Sequence, residues 1–245
     1  MEILKNIKIV DFALLIDSTL IIADIHIGYE EALNKQGVLV PRLQFAEIAG
    51  NMEKIFASID NKLDKVIING DLKHEFGTIS EQEWRNTLKF LDLLSKHCNE
   101  VILIKGNHDK ILGPIARKRN VRVLENYVFK AKCGNVLVTH GDKIPDAKLL
   151  KEASVIVIGH EHPAISLRDG RRVESSKCFL SGKYNGKNLI VQPSFNTMVP
   201  GTDVTRNRIL SPLLSKGLDD FRVYIVEDKV YDFGKLGKLR KKMED

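Results

Sequence analysis

Five short apolar runs, each ending in a residue type that ligates metals or moves protons, constrain this chain more than any other feature. Leu20-Ile21-Ile22-Ala23 leads into Asp24-Ile25-His26, and Val66-Ile67-Ile68-Asn69 into Gly70-Asp71. Val101-Ile102-Leu103-Ile104 precedes Gly106-Asn107-His108-Asp109-Lys110, Val136-Leu137-Val138-Thr139 precedes His140-Gly141-Asp142, and Val155-Ile156-Val157-Ile158 precedes Gly159-His160-Glu161-His162. β-Branched runs of this length, bounded by Gly or polar residues, are the pattern of strands buried on both faces. Ligands of open α/β sheets gather at the carboxyl ends of such strands. One rim should therefore carry Asp24, His26, Asp71, Asn107, His108, His140, His160 and His162.

Between the runs the pattern alternates with helices, as in βαβ units. Residues 2 to 16 read as a strand or hairpin. After Pro41, the apolar residues Phe45, Ile48, Met52, Ile55 and Ile59 recur at helical spacing. Residues 73 to 77 read as a loop. Ser80-Glu81-Gln82-Glu83 fits a capping box, and the helix it opens turns Trp84, Leu88, Leu91 and Leu94 toward the core. From about residue 121 strands outnumber helices: 121–123, 127–132, 135–139 and 155–158, with a short helical piece at 146–152. Residues 163–191 and a hairpin over 221–233, turning at Glu227-Asp228-Lys229, continue that trend toward a second, more antiparallel sheet. The stretch 195–220, with Pro200-Gly201, Asn207 and Ser211-Pro212, reads as a long loop with one helical turn, and loops of this length are often functional.

Composition excludes several classes. With 245 residues, 43% hydrophobic and 29% charged, the chain can bury a sizeable core and is not of disordered type. No apolar stretch is long enough to cross a bilayer, and the first residues lack the pattern of a signal peptide, so the expectation is cytoplasmic. Cys98, Cys133 and Cys178 are far apart and form no Cys-x-x-Cys pair, which reads as reduced structural thiols. The net charge of +6 favours anionic partners mildly. Part of it lies in a basic tail at about 235–245, read as a solvated, frayed terminus.

Histidines with carboxylates and an amide oxygen suit first-row divalent ions. The period of two in an extended segment would put His160 and His162 on one side, and likewise Asp24 and His26. Seven ligands are too many for one ion. If one carboxylate bridges, they divide into two sites of four with the ions about 3.5–4 Å apart, a centre suited to a phosphate ester.

Asp24-x-His26, Gly70-Asp71, Gly106-Asn107-His108-Asp109, His140 and Gly159-His160-x-His162 match, in order, the motifs of the calcineurin-like metallophosphoesterases, and the chain resembles that superfamily over roughly residues 20 to 165. Within it, residues 23–30 and 70–77 look like the small archaeal and bacterial group related to SbcD. The resemblance implies an α/β fold, a four-layer αββα sandwich of two mixed β-sheets flanked by helices, as a single domain over 1–245. It also implies Asp24, His26, Asp71 and His162 around one metal, and Asp71, Asn107, His140 and His160 around the other. His108 would be the general acid, oriented by Asp109. Two divalent ions are implied, Mn2+ by preference, with Ni2+, Fe2+ or Zn2+ as alternatives. One departure stands out: many members carry a second Asp three positions after the bridging one, and here that position is His74.

The implied reaction is attack of a metal-activated hydroxide on phosphorus in a phosphodiester or phosphomonoester, with nucleotide-like substrates favoured by the short chain. A nuclease trimming DNA or RNA ends and a non-catalytic scaffold of the same fold are the alternatives, and the intact ligand set argues against the scaffold. His74, Asn196 and Arg206 are candidate substrate contacts on loops, while His97 reads as ordinary helix-end surface. Expected partners are a phosphoester, nucleotide or nucleic acid, with no membrane and a homodimer left open.

Overall fold

The computed structural model describes residues 1–244 except 76–78, 110–111, 113–117, 170–171 and 207–208. Phe76, Gly77, Lys110 and Asn207 therefore lie outside the described residues. The chain opens with β1 (Glu2–Leu4), β2 (Ile7–Val10), β3 (Ala13–Ile16) and β4 (Thr19–Ala23), an antiparallel meander. Helices α1 (Tyr29–Lys35) and α2 (Gln44–Ala57) lead to β5 (Leu63–Asn69), and α3 (Glu81–His97) leads to β6 (Cys98–Ile104) and β7 (Arg122–Leu124). From β4 to β7 each strand is parallel to its neighbour, which completes a sheet of order β1 to β7.

The second sheet takes β8 (Asn126–Ala131), β9 (Gly134–Thr139), β10 (Val155–Ile158), β11 (Pro163–Asp169), β12 (Arg172–Tyr184), β13 (Lys187–Val191), β14 (Thr202–Asp203), β15 (Arg222–Val226) and β16 (Val230–Lys235). Its order is β14-β11-β12-β13-β10-β9-β8, with β15 on β12 and β16 on β15. The pairs β9/β10, β10/β13 and β11/β14 are parallel and the others antiparallel, so both sheets are mixed. The short α4 (Ala147–Glu152) follows β9, a single 3-10 turn (Pro212–Leu214) precedes β15, and α5 (Leu236–Glu244) follows β16.

The apolar runs are continuous because each strand has two buried faces. Ile21, Ile67, Ile102 and Ile104 from the first sheet meet Val136, Val138, Val155, Val157 and Phe179 from the second in a core between the sheets. Their neighbours Leu20, Ile22, Val66, Ile68 and Leu103 point the other way, onto Ile48, Met52 and Ile55 of α2 and Phe90, Leu91 and Leu94 of α3. Leu137, Ile156 and Ile158 turn outward in the second sheet, onto Leu213, Leu218 and Leu236. The result is an α/β sandwich of two mixed sheets with helices on its outer faces.

Trp84 is half-buried against the α2/α3 core, with Lys118 Nζ 5.2 Å from its ring centre. His97 stacks on Phe56 at 4.1 Å. The three cysteines are free, two of them buried. The basic terminus differs from the expected frayed tail: Leu236 is buried and Arg240 ties α5 to Asp219 and to the Val204 carbonyl, because an apolar anchor and a paired guanidinium hold the helix down. Among the described residues no helix is long and apolar enough to cross a membrane. Phe179 is fully buried between the sheets, so Phe179→Ala should destabilise the protein by about 3–5 kcal/mol, measured as a lowered urea midpoint at unchanged m.

Candidate metal centre

Every ligand candidate sits where a parallel strand ends. Asp24 follows β4, Gly70-Asp71 follows β5, Asn107 and His108 lie just past β6, His140 follows β9, and His160 and His162 follow β10. The loops after β4 and β5 run side by side, with the N–H groups of Asp24, His26 and Ile27 donating to the carbonyls of Gly70, Asp71 and Leu72. The His140 carbonyl accepts from the Gly159 N–H at 2.9 Å, joining the loops of the second sheet. Packing the sheets face to face brings the two sets together.

The ligand atoms form two groups, Asp24 with His26 and His162, and Asp71 with His140 and His160, each within 4.8 Å. Asp71 Oδ2 lies 3.5 Å from His140 Nε2 and 3.9 Å from His26 Nε2, between the groups. Asn107 Oδ1 is 3.0 Å from His140 Nε2. A third group, His26, His74 and His108, holds three imidazoles on the same side.

The extended geometry expected for Asp24-x-His26 and His160-x-His162 is not what the chain adopts. Asp24, His26, Asp71, His160 and His162 all have positive φ, between 43° and 64°. At the rim the strands end and the chain turns, so these five residues sit in the left-handed region, at a cost of order 1–3 kcal/mol apiece. His160 and His162 accordingly go to different groups.

The glycines of the motifs make room for the ligands. A Cβ on Gly70 would lie 2.0 Å from His140 Nδ1, one on Gly106 2.1 Å from Asp71 Oδ1, and one on Gly159 2.5 Å from Asp24 Oδ2. No other residue fits at those three positions without displacing a ligand. The cradle extends to backbone donors: Asp71 Oδ1 accepts from the His108 N–H and Asp24 Oδ2 from the His160 N–H, both at 2.9 Å.

The donor set suits divalent cations. Asp24 and Asp71 are both buried, and they are pushed apart electrostatically. Burial works to raise the Asp24 carboxyl, but the imidazoles of His162, His140 and His26 outweigh it and hold the group down at about 2. Asp71 is raised to about 9 by burial and then by the charges of Asp24 and Asp109. Burial also lowers His160 to about 4, and His26 well below the usual imidazole value, so these rings stay neutral and free to ligate. Asp24 Oδ1 is buried without a hydrogen-bond partner among the described residues, as an oxygen reserved for something other than the protein would be.

Three sequence-based roles look different in the structure. Asp109 does not act through a simple link to His108: its carboxylate accepts from the N–H groups of Gly106, Leu72 and Lys73, bracing the loop after Asp71. The His108 Nδ1 meets the main-chain carbonyl of His74 instead. Asn196 is fully buried, its Nδ2 3.4 Å from the His26 carbonyl and its Oδ1 accepting from the Met198 N–H, which makes it a brace and not a surface contact. Arg206 is exposed, lining an 80 Å³ recess with Thr205, Arg240 and Met243. His74, by contrast, reaches the site, with ring centres 5.4 Å from His26 and 5.5 Å from His108; burial lowers it to about 4.

Sequence reasoning did not single out Gln192 and Ser194, at the start of the loop after β13. Gln192 Nε2 donates to the Ile21 carbonyl, Ser194 Oγ to the Asp24 carbonyl and the Phe195 N–H to the Ala23 carbonyl, so this loop locks the first ligand loop from below. Lys177 Nζ donates in turn to the carbonyls of Ser194 and Asn196, and burial lowers it to about 7. The signal was present, since Leu189-Ile190-Val191 before Gln192 repeats the pattern of an apolar run followed by a polar residue. Glu161 faces away from the ligands, its Oε2 accepting from the N–H groups of Leu210 and Ser211.

The family model for calcineurin-like phosphoesterases matches residues 18–191. No curated protein matches the chain. Similar solved structures include the nuclease MPE from Pseudomonas putida, 19% identical, with a TM-score of 0.63 over 92% of this chain and 93% of that one. An archaeal phosphodiesterase is 15% identical at a TM-score of 0.41, over 88% of this chain and 98% of that one. Zinc-bound Vps29 from Entamoeba histolytica is 16% identical at a TM-score of 0.38, over 88% and 99%.

The glycine cradle is directly testable. Gly70→Ala and Gly106→Ala should each weaken manganese binding by roughly 10–100-fold in equilibrium dialysis while far-ultraviolet circular dichroism stays native. Gly50→Ala, where a Cβ meets nothing within 4 Å, should leave binding unchanged.

Proposed function

The chain belongs to the calcineurin-like phosphoesterase family, and we propose that it is a hydrolase of phosphodiester bonds that works with two divalent ions, manganese by preference. One observation carries the reading: Asp71 Oδ2 lies between the two ligand groups, 3.5 Å from His140 Nε2 and 3.9 Å from His26 Nε2. Asp24, His26 and His162 would hold one ion and Asn107, His140 and His160 the other, with Asp71 shared. When bound, the ions would supply Lewis-acid charge at phosphorus and lower the pKa of a water for attack.

The remaining work falls to side chains. His108 is half-buried, and its Nε2 points inward, 3.9 Å from Asp71 Oδ2, where it can give a proton to the departing oxygen. Its Nδ1 meets the His74 carbonyl, and Nε2 is the atom that faces the ligand groups. His74 stands beside it and would contact the substrate's phosphate or leaving group. Nucleotide-like diesters fit this arrangement, because the rim offers imidazoles for a phosphate. Nuclease action on DNA or RNA ends is the second reading, favoured by the net charge of +6 and by Lys238, Lys241 and Lys242, all exposed on α5.

The deciding experiment compares bis-p-nitrophenyl phosphate with p-nitrophenyl phosphate on chelator-stripped protein given manganese, nickel, zinc or magnesium. The diester should be hydrolysed only with metal and in preference to the monoester; no hydrolysis of either would reject the reading. His108→Ala should bind metal normally yet turn over about 100-fold more slowly or worse, most for poor leaving groups. Asp71→Ala should release both ions together, and retention of one ion at full affinity would show that it is not shared.

A further inference from the structure

His108 Nδ1 meets the main-chain carbonyl of His74, and that carbonyl lies in the loop after β5. Among the described residues of this loop, Leu72 to Glu75, the polar groups are tied down from several sides. Asp109 accepts from the N–H groups of Leu72 and Lys73, and the fully buried Lys73 donates through Nζ to the Glu75 carbonyl. The remaining anchor comes from elsewhere in the fold. Glu83, in the first turn of α3, accepts through one oxygen, Oε1, from the N–H of His74 at 2.9 Å and of Glu75 at 3.2 Å.

We propose that Glu83 is a positioning residue for His108, acting through the peptide that joins His74 to Glu75. The reading rests on His108 as the proton donor proposed above. The peptide bond is planar, so the Glu75 N–H and the His74 carbonyl are opposite ends of one rigid unit. Glu83 takes hold of the N–H end and His108 Nδ1 meets the carbonyl end. An acceptor at one end fixes the direction of the carbonyl and with it the orientation of the ring at the other.

Two further observations fit. Glu83 is 1% exposed, and a buried carboxylate is retained only when its bonds are needed. Gly28, at φ +96°, is shaped around it: a Cβ there would lie 3.1 Å from the Glu83 carboxyl group. The capping box that the sequence displays at Ser80 and Glu83 therefore has a second use. Ser80 caps α3 by accepting from the Glu83 N–H, and the Glu83 side chain serves the loop.

The test uses the full-length, manganese-loaded protein and aryl phosphodiesters whose leaving groups run from p-nitrophenol to phenol. Glu83→Ala should slow release of phenol by about 10-fold or more and of p-nitrophenol by less than about 3-fold, since only a poor leaving group needs the proton. KM and manganese content should not change. Glu83→Gln, which keeps an oxygen acceptor, should recover most of the lost rate, whereas Glu83→Asp, one methylene shorter, should show the leaving-group-dependent loss. Equal losses on all leaving groups, or a Gln variant as slow as the Asp variant, would overturn the proposal. Should Glu83→Ala fail to fold, the Gln and Asp variants decide between the same outcomes. His108→Ala is measured in parallel: if its own loss ignores the leaving group, the acid assignment fails and takes this inference with it. If only the Glu83 variants ignore it, the acid assignment stands and the link is rejected.

Discussion

Two buried carboxylates a few ångströms from the same imidazoles are the constraint around which this rim is built. Asp24 and Asp71 cannot both be charged in a dry protein interior without compensation, and the opposite directions of their shifts, to about 2 and about 9, express that conflict. The surroundings divide the compensation unequally. Asp24 has three imidazoles and the His160 N–H, whereas Asp71 has the His108 N–H but lies near the carboxylates of Asp24 and Asp109. Divalent cations would resolve the conflict, which would tie the electrostatics of the rim to its ligand chemistry.

Holding such a site costs backbone strain, and the rest of the fold supplies the restraint. Five ligand residues lie at positive φ, a conformation that persists only where neighbours over-determine it. The neighbours are identifiable. Gln192, Ser194, Phe195 and Asn196 fasten the carbonyls and loop around Asp24 and His26 from the end of β13, and Lys177 fastens that loop in turn. Glu161 and Ser211 tie the loops after β9 and β10 to the long segment that follows β14. Much of the polar interior thus serves to keep a few turns from relaxing.

In the loop after β5, the Nδ1 of His108 is met by a main-chain oxygen, and a carbonyl is only as well placed as the loop that carries it. Asp109 and Glu83 both attend to that loop, one from each side. Neither carboxylate was assigned this task from the sequence, because the residues it serves are contiguous only in space: Glu83 is 9 positions from His74 and Asp109 is 36 from Lys73.

The sequence alone determined the strands, their doubly buried character and the kinds of residue at their ends, because a run such as Val155-Ile156-Val157-Ile158 advertises its two apolar faces within four residues. It likewise carried the Ser80 cap, the helix over Ile48, Met52 and Ile55, and the turn at 227–229, all of them short-range patterns. Only the tertiary structure decided that five of the ligand candidates sit on left-handed turns instead of extended segments, that Asp109 and Glu83 brace the loop after β5, and that Asn196 points into the protein. Those outcomes depend on bonds such as His160 N–H to Asp24, spanning 136 positions, or Ser194 to Asp24, spanning 170. Periodicity is read one segment at a time, whereas a metal centre is set by the distance between segments, and that distance exists only once the two sheets have packed.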